Sequence, residues 1–197
     1  MIKISIEYYN KNSEKYIRST FEANMDPLLT KFAFHVPKGG LILDAGCGTG
    51  RDSVWFVNHG YNVVAFDGSE DMVKHAKDYV DGEVMLATFE NFKCDKKFDG
   101  IWACSSLLHV KRENMVDIVE KLAGYLKPKG AFFMSFKDRD EDYEKDGRVF
   151  TNYTESELRE LINSIDDLIT IEIIKTTDVR EGREDEHWVS VIAKKKG

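Results

Sequence analysis

Apolar residues fall in short runs along this chain, separated by amphipathic stretches. "LILDA", "NVVAFD", "FDGIWAC" and "AFFMSFK" have the length and density of buried strands, and "EVMLA" is a weaker run of the same kind. "LITIEII" and "HWVSVIAK" near the end complete the set. Between them, three- and four-residue apolar spacing predicts helices. "DSVWFVNHG" ends at Gly60, and "SEDMVKHAKDYV" opens on a Ser followed by acids. "KRENMVDIVEKLAGYLKPKG" is stopped by Pro128 and Gly130, and "TESELRELINS" starts with Thr154 and Glu157 in capping-box spacing. Upstream, after "EYYNKN", "SEKYIRSTFEAN" and "DPLLTKFAFHV" predict two helices, with Pro27 in the first turn of the second. Pro37-Lys38-Gly39-Gly40 is a turn.

Strands alternating with helices predict an α/β fold, a mostly parallel sheet covered on both faces. The last two strands have no helix between them and should form an antiparallel hairpin on one edge. No internal repeat or linker divides the sequence, so residues 1–197 are expected to form a single domain, with 1–35 as a helical cap. "DRDEDYEKDGRVFTNY", residues 138–153, is too polar for a core. It is either a solvated surface loop or a flap over a site, because it leaves the carboxyl end of a strand, where such sheets bind ligands.

The composition, 42% hydrophobic and 32% charged, suits a globular protein with a core. A net charge of −7 weighs against non-specific binding to nucleic acid or anionic membranes. Cys47, Cys94 and Cys104 form no C-x-x-C pair and no metal-ligand spacing, which reads as free thiols in a reducing compartment. With no apolar leader at the start and no membrane-length apolar stretch, a cytoplasmic location is expected.

The candidate chemistry begins at "LILDAGCGTGRDS". Three glycines at alternate positions after a strand let a ligand approach the backbone at a helix start. Asp67, ending the next strand, is placed to accept both hydroxyl protons of a ribose. Dinucleotide enzymes use G-x-G-x-x-G, whereas the spacing here is G-x-G-x-G, with Asp44 two residues before the first glycine. A fixed carboxylate there is awkward for a pyrophosphate and suits a cationic ligand such as S-adenosylmethionine.

"ILDAGCGTG", "VVAFDGSEDMV", "FDGIWACSSLLHV" and "LKPKGAFFMSFK" occur in the order of the main motifs of class I S-adenosylmethionine-dependent methyltransferases, which the chain resembles over roughly residues 36–137. The resemblance implies a Rossmann-like, seven-stranded sheet with one antiparallel strand in its edge hairpin. It also implies S-adenosylmethionine as cofactor and S-adenosylhomocysteine as product. The methionine part would lie at Asp44, Ala45, Gly46, Cys47 and Gly48, with Arg51 and Cys104 nearby. The ribose would lie at Asp67 and Gly68, and Ser69 and Met72 would line the adenosine. The adenine would sit by "LATFENF", beside Phe89, where Thr88 replaces the family's usual acid and leaves Glu90 or a backbone carbonyl in that role. "YYNKNSEKY", "GTGRDS" and "RVFTNYTESELREL…HWVSVIAK" are further similar to a bacterial group called tellurite-resistance-type methyltransferases.

Methyl transfer is an in-line displacement that depends on alignment in a dry site, and it needs a base only if the acceptor must lose a proton. His109 is the candidate base, or alternatively a structural histidine opening the next helix. Tyr8 and Tyr9 could close over the cofactor. Arg51, a cation at a helix start, calls for a ligand or partner carboxylate nearby or an escape into solvent. Arg139, Arg148, Tyr153, Arg180, Arg183, His187 and Trp188 lie in two late loops and either receive a small acceptor, anionic in character, or are solvated. The expected activity is methyl transfer to a small molecule or an oxyanion by a monomer or homodimer. RNA or protein methylation and a non-catalytic cofactor-binding module remain open.

Overall fold

The computed structural model describes residues 3–21, 23–180 and 182–197. Its strands are β1 (Leu41–Ala45), β2 (Asn62–Asp67), β3 (Glu83–Leu86), β4 (Phe98–Ala103), β5 (Leu126–Lys137), β6 (Tyr143–Lys145), β7 (Arg148–Phe150), β8 (Leu168–Thr177) and β9 (His187–Lys195). Its helices are α1 (Lys3–Lys11), α2 (Ser13–Thr20), α3 (Asp26–Ala33), α4 (Arg51–Asn58), α5 (Glu70–Tyr79), α6 (Arg112–Gly124) and α7 (Glu155–Asn163).

Seven strands form one sheet in the order β3-β2-β1-β4-β5-β9-β8. β1 to β5 are parallel, and β9 runs antiparallel to both β5 and β8. The expected edge hairpin is present. Alternation along β5 feeds two cores: Phe132, Met134 and Phe136 face one side with Phe66, Phe92 and Leu158, while Ala131 and Phe133 face the other with Phe32, Phe56 and Trp102. Trp102 stacks on Phe133 at 3.9 Å between ring centroids. No helix among the described residues is long and apolar enough to cross a membrane.

Three elements differ from the sequence expectation. The "EYYNKN" segment is itself helical, because α1 is held by side chains far along the chain rather than by its own weak propensity. α6 ends at Gly124, and β5 begins at Leu126 instead of after Gly130. Lys127 precedes Pro128 and is therefore biased to extended backbone, and Leu126 pairs with Phe98. Residues 138–153 contain the β6–β7 hairpin, closed by Asp146 and Gly147 with φ of 52° and 73°, the left-handed pair that a tight two-residue hairpin requires.

The order places the glycine loop at the reversal between β1 and β4. The carboxyl ends of β1, β2, β4 and β5 and the start of β9 meet there.

Candidate active site

Gly46 and Cys47 both donate their N–H groups to the Phe66 carbonyl at 2.9 Å, tying the glycine loop to β2. At Gly46, φ is +80° and an added Cβ would lie 2.5 Å from Cβ of Ser106, so only glycine fits. Gly48, with φ +52°, faces open space, the nearest atom to its absent Cβ being in the Tyr16 ring at 4.0 Å. Asp67 accepts from the backbone N–H of Gly48 at 2.9 Å and of Ser69 at 2.8 Å. Asp44 accepts from the Ser53 hydroxyl at 2.6 Å.

Both carboxylates line one cavity of about 920 Å³, and both are nearly buried. Among the described residues neither makes an ion pair. Burial raises the affinity of each for its proton, and for Asp44 the neighbouring Asp52 adds to that effect. Two buried acids without a direct ion pair suit a ligand that brings positive charge and sugar hydroxyls.

Arg51 finds its carboxylate in the next residue. Its Nε and Nη2 donate to Asp52 at 2.6 and 3.0 Å, its Nη1 to the Thr20 carbonyl at 3.1 Å, and Asp52 also accepts from Trp102 Nε1 at 2.8 Å. The dipole-unfavourable arginine is thus neutralised within the chain.

Above the loop, His109 lies on a short 3₁₀ turn (Leu107–His109) after β4 and is 2% exposed. Its Nδ1 is 2.7 Å from the Val149 carbonyl, which can only accept, so Nδ1 carries the hydrogen. Nε2 then accepts from the Tyr9 hydroxyl at 2.7 Å. Burial lowers the histidine's proton affinity to about 4, keeping the imidazole neutral. With both nitrogens committed in this arrangement, His109 holds Tyr9 in place, a geometry that favours the structural histidine of the two sequence readings. Tyr9 meets Tyr8, Tyr16 and His109 edge-on at 5.6, 5.0 and 5.5 Å, forming a roof from α1 and α2. Arg148 of β7 lies 3.7 Å over the Tyr8 ring, fastening the hairpin to that roof, and Thr151 donates to the Leu108 and Val110 carbonyls of the turn after β4.

Of the residues singled out in the sequence, Tyr9, Asp44, Gly46, Cys47, Gly48, Arg51, Asp67, Met72, Cys104, His109, Arg148, Arg183 and Trp188 line this cavity, with Arg139 and Arg180. Others do not. Ala45 presents its carbonyl to Ser106, Gly68 is buried, and Ser69 caps α5 and donates to Asn10 at 2.6 Å. Thr88 turns onto Asn91, Phe89 is buried against Phe66, and the Glu90 carbonyl receives Lys121. Tyr153 lies outside, packed on Phe136 beneath the Arg112 guanidinium, and His187 is exposed and binds Asp138 through its carbonyl.

The basic cluster is largely answered by acids. Lys137 and Arg139 both bind Glu186, at 2.6 and 2.8 Å, Arg180 grips Asp178, and Arg148 stands 3.4 Å from Asp146. Sequence reasoning missed Tyr16, Ser135 and Ser190 on the cavity wall. The two serines had a signal, polar residues interrupting "FFMSFK" and "WVSVIAK".

Residues 42–130 match a family described as a methyltransferase domain. The matched region spans the glycine loop, Asp67 and His109. Cypemycin N-terminal methyltransferase from a Streptomyces species is 32% identical over 105 residues, 51% of this chain and 43% of that protein. (S)-Coclaurine N-methyltransferase from Papaver somniferum is 26% identical, over 50% of this chain and 30% of that protein. The chain thus spans less than half the length of these two curated relatives. The fold is similar to that of Burkholderia thailandensis 1,6-didemethyltoxoflavin-N1-methyltransferase, solved with 1,6-didemethyltoxoflavin and S-adenosylhomocysteine, at a TM-score of 0.78, 20% identity and coverage of 98% of this chain and 86% of that one. It is also similar to magnesium protoporphyrin IX methyltransferase from Synechocystis PCC 6803, solved with S-adenosylmethionine, at a TM-score of 0.77, 17% identity and coverage of 98% and 96%.

Proposed function

We propose that the protein is an S-adenosylmethionine-dependent methyltransferase acting on a small molecule. The observation that carries this reading is the pair of buried carboxylates, Asp44 and Asp67, flanking an open glycine loop without a direct ion pair of their own. The cofactor supplies a methyl group already activated by a sulfonium. Asp67 would accept from the ribose hydroxyls, and Asp44 would face the cationic methionine end. Gly48 leaves its backbone open to contact, and Met72 packs the nucleoside side.

Tyr9 and Tyr16 roof the cavity and exclude water, which favours a reaction whose charges must be desolvated. His109 fixes the Tyr9 hydroxyl from behind and takes no proton from an acceptor. On this reading α1 and α2 are a cap, and the β6–β7 hairpin is a flap that buttresses it. The small-molecule acceptor is supported by the size of the cavity, about 920 Å³, and by the 1,6-didemethyltoxoflavin bound to one structural neighbour. The narrower tellurite-resistance-type placement rests on its three sequence segments alone.

The test is incubation with methyl-labelled S-adenosylmethionine and a small-molecule fraction of cell extract. The proposal expects label in a low-molecular-weight product and loss of that transfer in Asp67→Ala. Label transferred only to protein or RNA would contradict it.

A further inference from the structure

The cavity extends past the glycine loop onto the sheet face shared by β4, β5 and β9. Cys104, Ser135 and Ser190 line it there, and Ser135 and Ser190 are register partners on neighbouring strands. Ser135 is committed, its hydroxyl accepting from the Ser105 N–H at 2.8 Å and contacting the Cys104 sulfur at 3.8 Å. Ser190 is different. It is 1% exposed and its hydroxyl has no hydrogen-bond partner, although it lines the cavity. A buried hydroxyl left unpaired is costly, and a strand position inside an apolar run gives it no local rescue.

The surroundings define what would complete it. Met25 and Leu28, from the start of α3 and the residues before it, line the same cavity and pack with Cys104 against one core cluster. Trp188 adds an indole whose Nε1 donates to Asp178 at 3.3 Å. Burial pushes the Cys104 thiol up to about 12, so it stays neutral. The nearby cations Lys137 and Arg180 are already bound to Glu186 and Asp178. The Met25 and Leu28 side chains, an oriented indole, two cations already answered by acids and one unused hydroxyl describe a chamber for an uncharged ring with a polar edge.

We propose that this chamber is the acceptor site and takes a flat, uncharged aromatic or heteroaromatic molecule that hydrogen-bonds the Ser190 hydroxyl. The inference rests on the methyltransferase reading for the word acceptor, and the binding chemistry stands without it. It differs from the anionic acceptor considered for the arginine-rich loops, where Arg139 and Arg180 are already paired with Glu186 and Asp178.

The experiment is calorimetric binding of three probes, quinolin-2-one, naphthalene and quinoline-2-carboxylate, with and without saturating S-adenosylhomocysteine. Quinolin-2-one should bind most tightly. Ser190→Ala should weaken it about tenfold, the loss of one hydrogen bond, while leaving naphthalene within twofold. Trp188→Ala should weaken both neutral probes. Tighter binding of the carboxylate than of quinolin-2-one overturns the proposal, as does an unchanged quinolin-2-one affinity in Ser190→Ala. Absence of S-adenosylhomocysteine binding alongside the expected probe pattern would count against the methyltransferase reading and leave the chamber's chemistry standing.

Discussion

The Tyr9 hydroxyl donates to Nε2 of His109 across 2.7 Å, joining α1 to the turn that follows β4. The same imidazole is held from its other side by the Val149 carbonyl of the hairpin. One buried ring therefore fastens the N-terminal helices and the β6–β7 hairpin to the turn after β4. Tyr9→Phe keeps the ring contacts and leaves Nε2 without a donor, a loss of about 1–3 kcal/mol for an unsatisfied buried acceptor. Urea unfolding should show a lower midpoint with an unchanged slope. An unchanged midpoint would mean that this hydrogen bond does not hold the cap.

His109 also makes stability depend on pH in a definite direction. Its proton affinity is lowered from 6.5 to about 4 by burial. The unfolded chain therefore takes up a proton between those values while the folded chain does not, and stability falls as pH falls from about 6.5 to about 4. The full effect is on the order of 3 kcal/mol and is present above the unfolded value. Replacing His109 with Gln should flatten this part of the stability profile. A stability that rises on acidification through that window, or an imidazole titrating near 6.5 by NMR, would contradict the buried neutral state.

Two glycines of the loop separate folding from binding. Gly46→Ala places a Cβ 2.5 Å from that of Ser106, an atom fixed to the backbone, at φ +80°. Overpacking and left-handed strain together should remove roughly 2–5 kcal/mol of stability. Gly48→Ala meets nothing closer than 4.0 Å, so only strain of about 1–2 kcal/mol applies. Its added methyl should nevertheless obstruct the nucleoside and lower affinity for S-adenosylhomocysteine. Thermal melts and calorimetry on the two variants check this ordering. Equal destabilisation with unchanged affinity in Gly48→Ala would remove the ligand from this face of the loop.

Much of the fold was legible because β1, β2, β4 and most of β5 are buried on both faces and read as continuous apolar runs, while Thr154, Ser69 and Gly60 mark helix ends by local chemistry. The hairpin at 143–150 was not, since three-residue polar strands carry no period, although Asp146-Gly147 was a turn signal. Asp44, Gly46 and Asp67 could be placed at one site because strand order alone brings the ends of β1 and β2 together. Tyr16, Ser135 and Ser190 could not, because their role depends on which sheet face meets α2 and α3. The partners of Arg139, Arg148 and Arg180 were equally hidden. A sequence shows that acids are near in the chain, whereas only the structure shows Glu186 answering both Lys137 and Arg139.

Titration calorimetry of S-adenosylhomocysteine, S-adenosylmethionine and NAD into the intact protein and its Asp67→Ala variant tests the central claim most directly. The account predicts that both sulfur nucleosides bind and NAD does not. Removing the Asp67 carboxylate should lower the sulfur-nucleoside affinity by about ten- to a hundredfold, the loss of a charge-assisted hydrogen bond worth roughly 1.5–3 kcal/mol. Tight binding of NAD with no binding of either sulfur nucleoside, or an affinity that Asp67→Ala leaves unchanged, would contradict it.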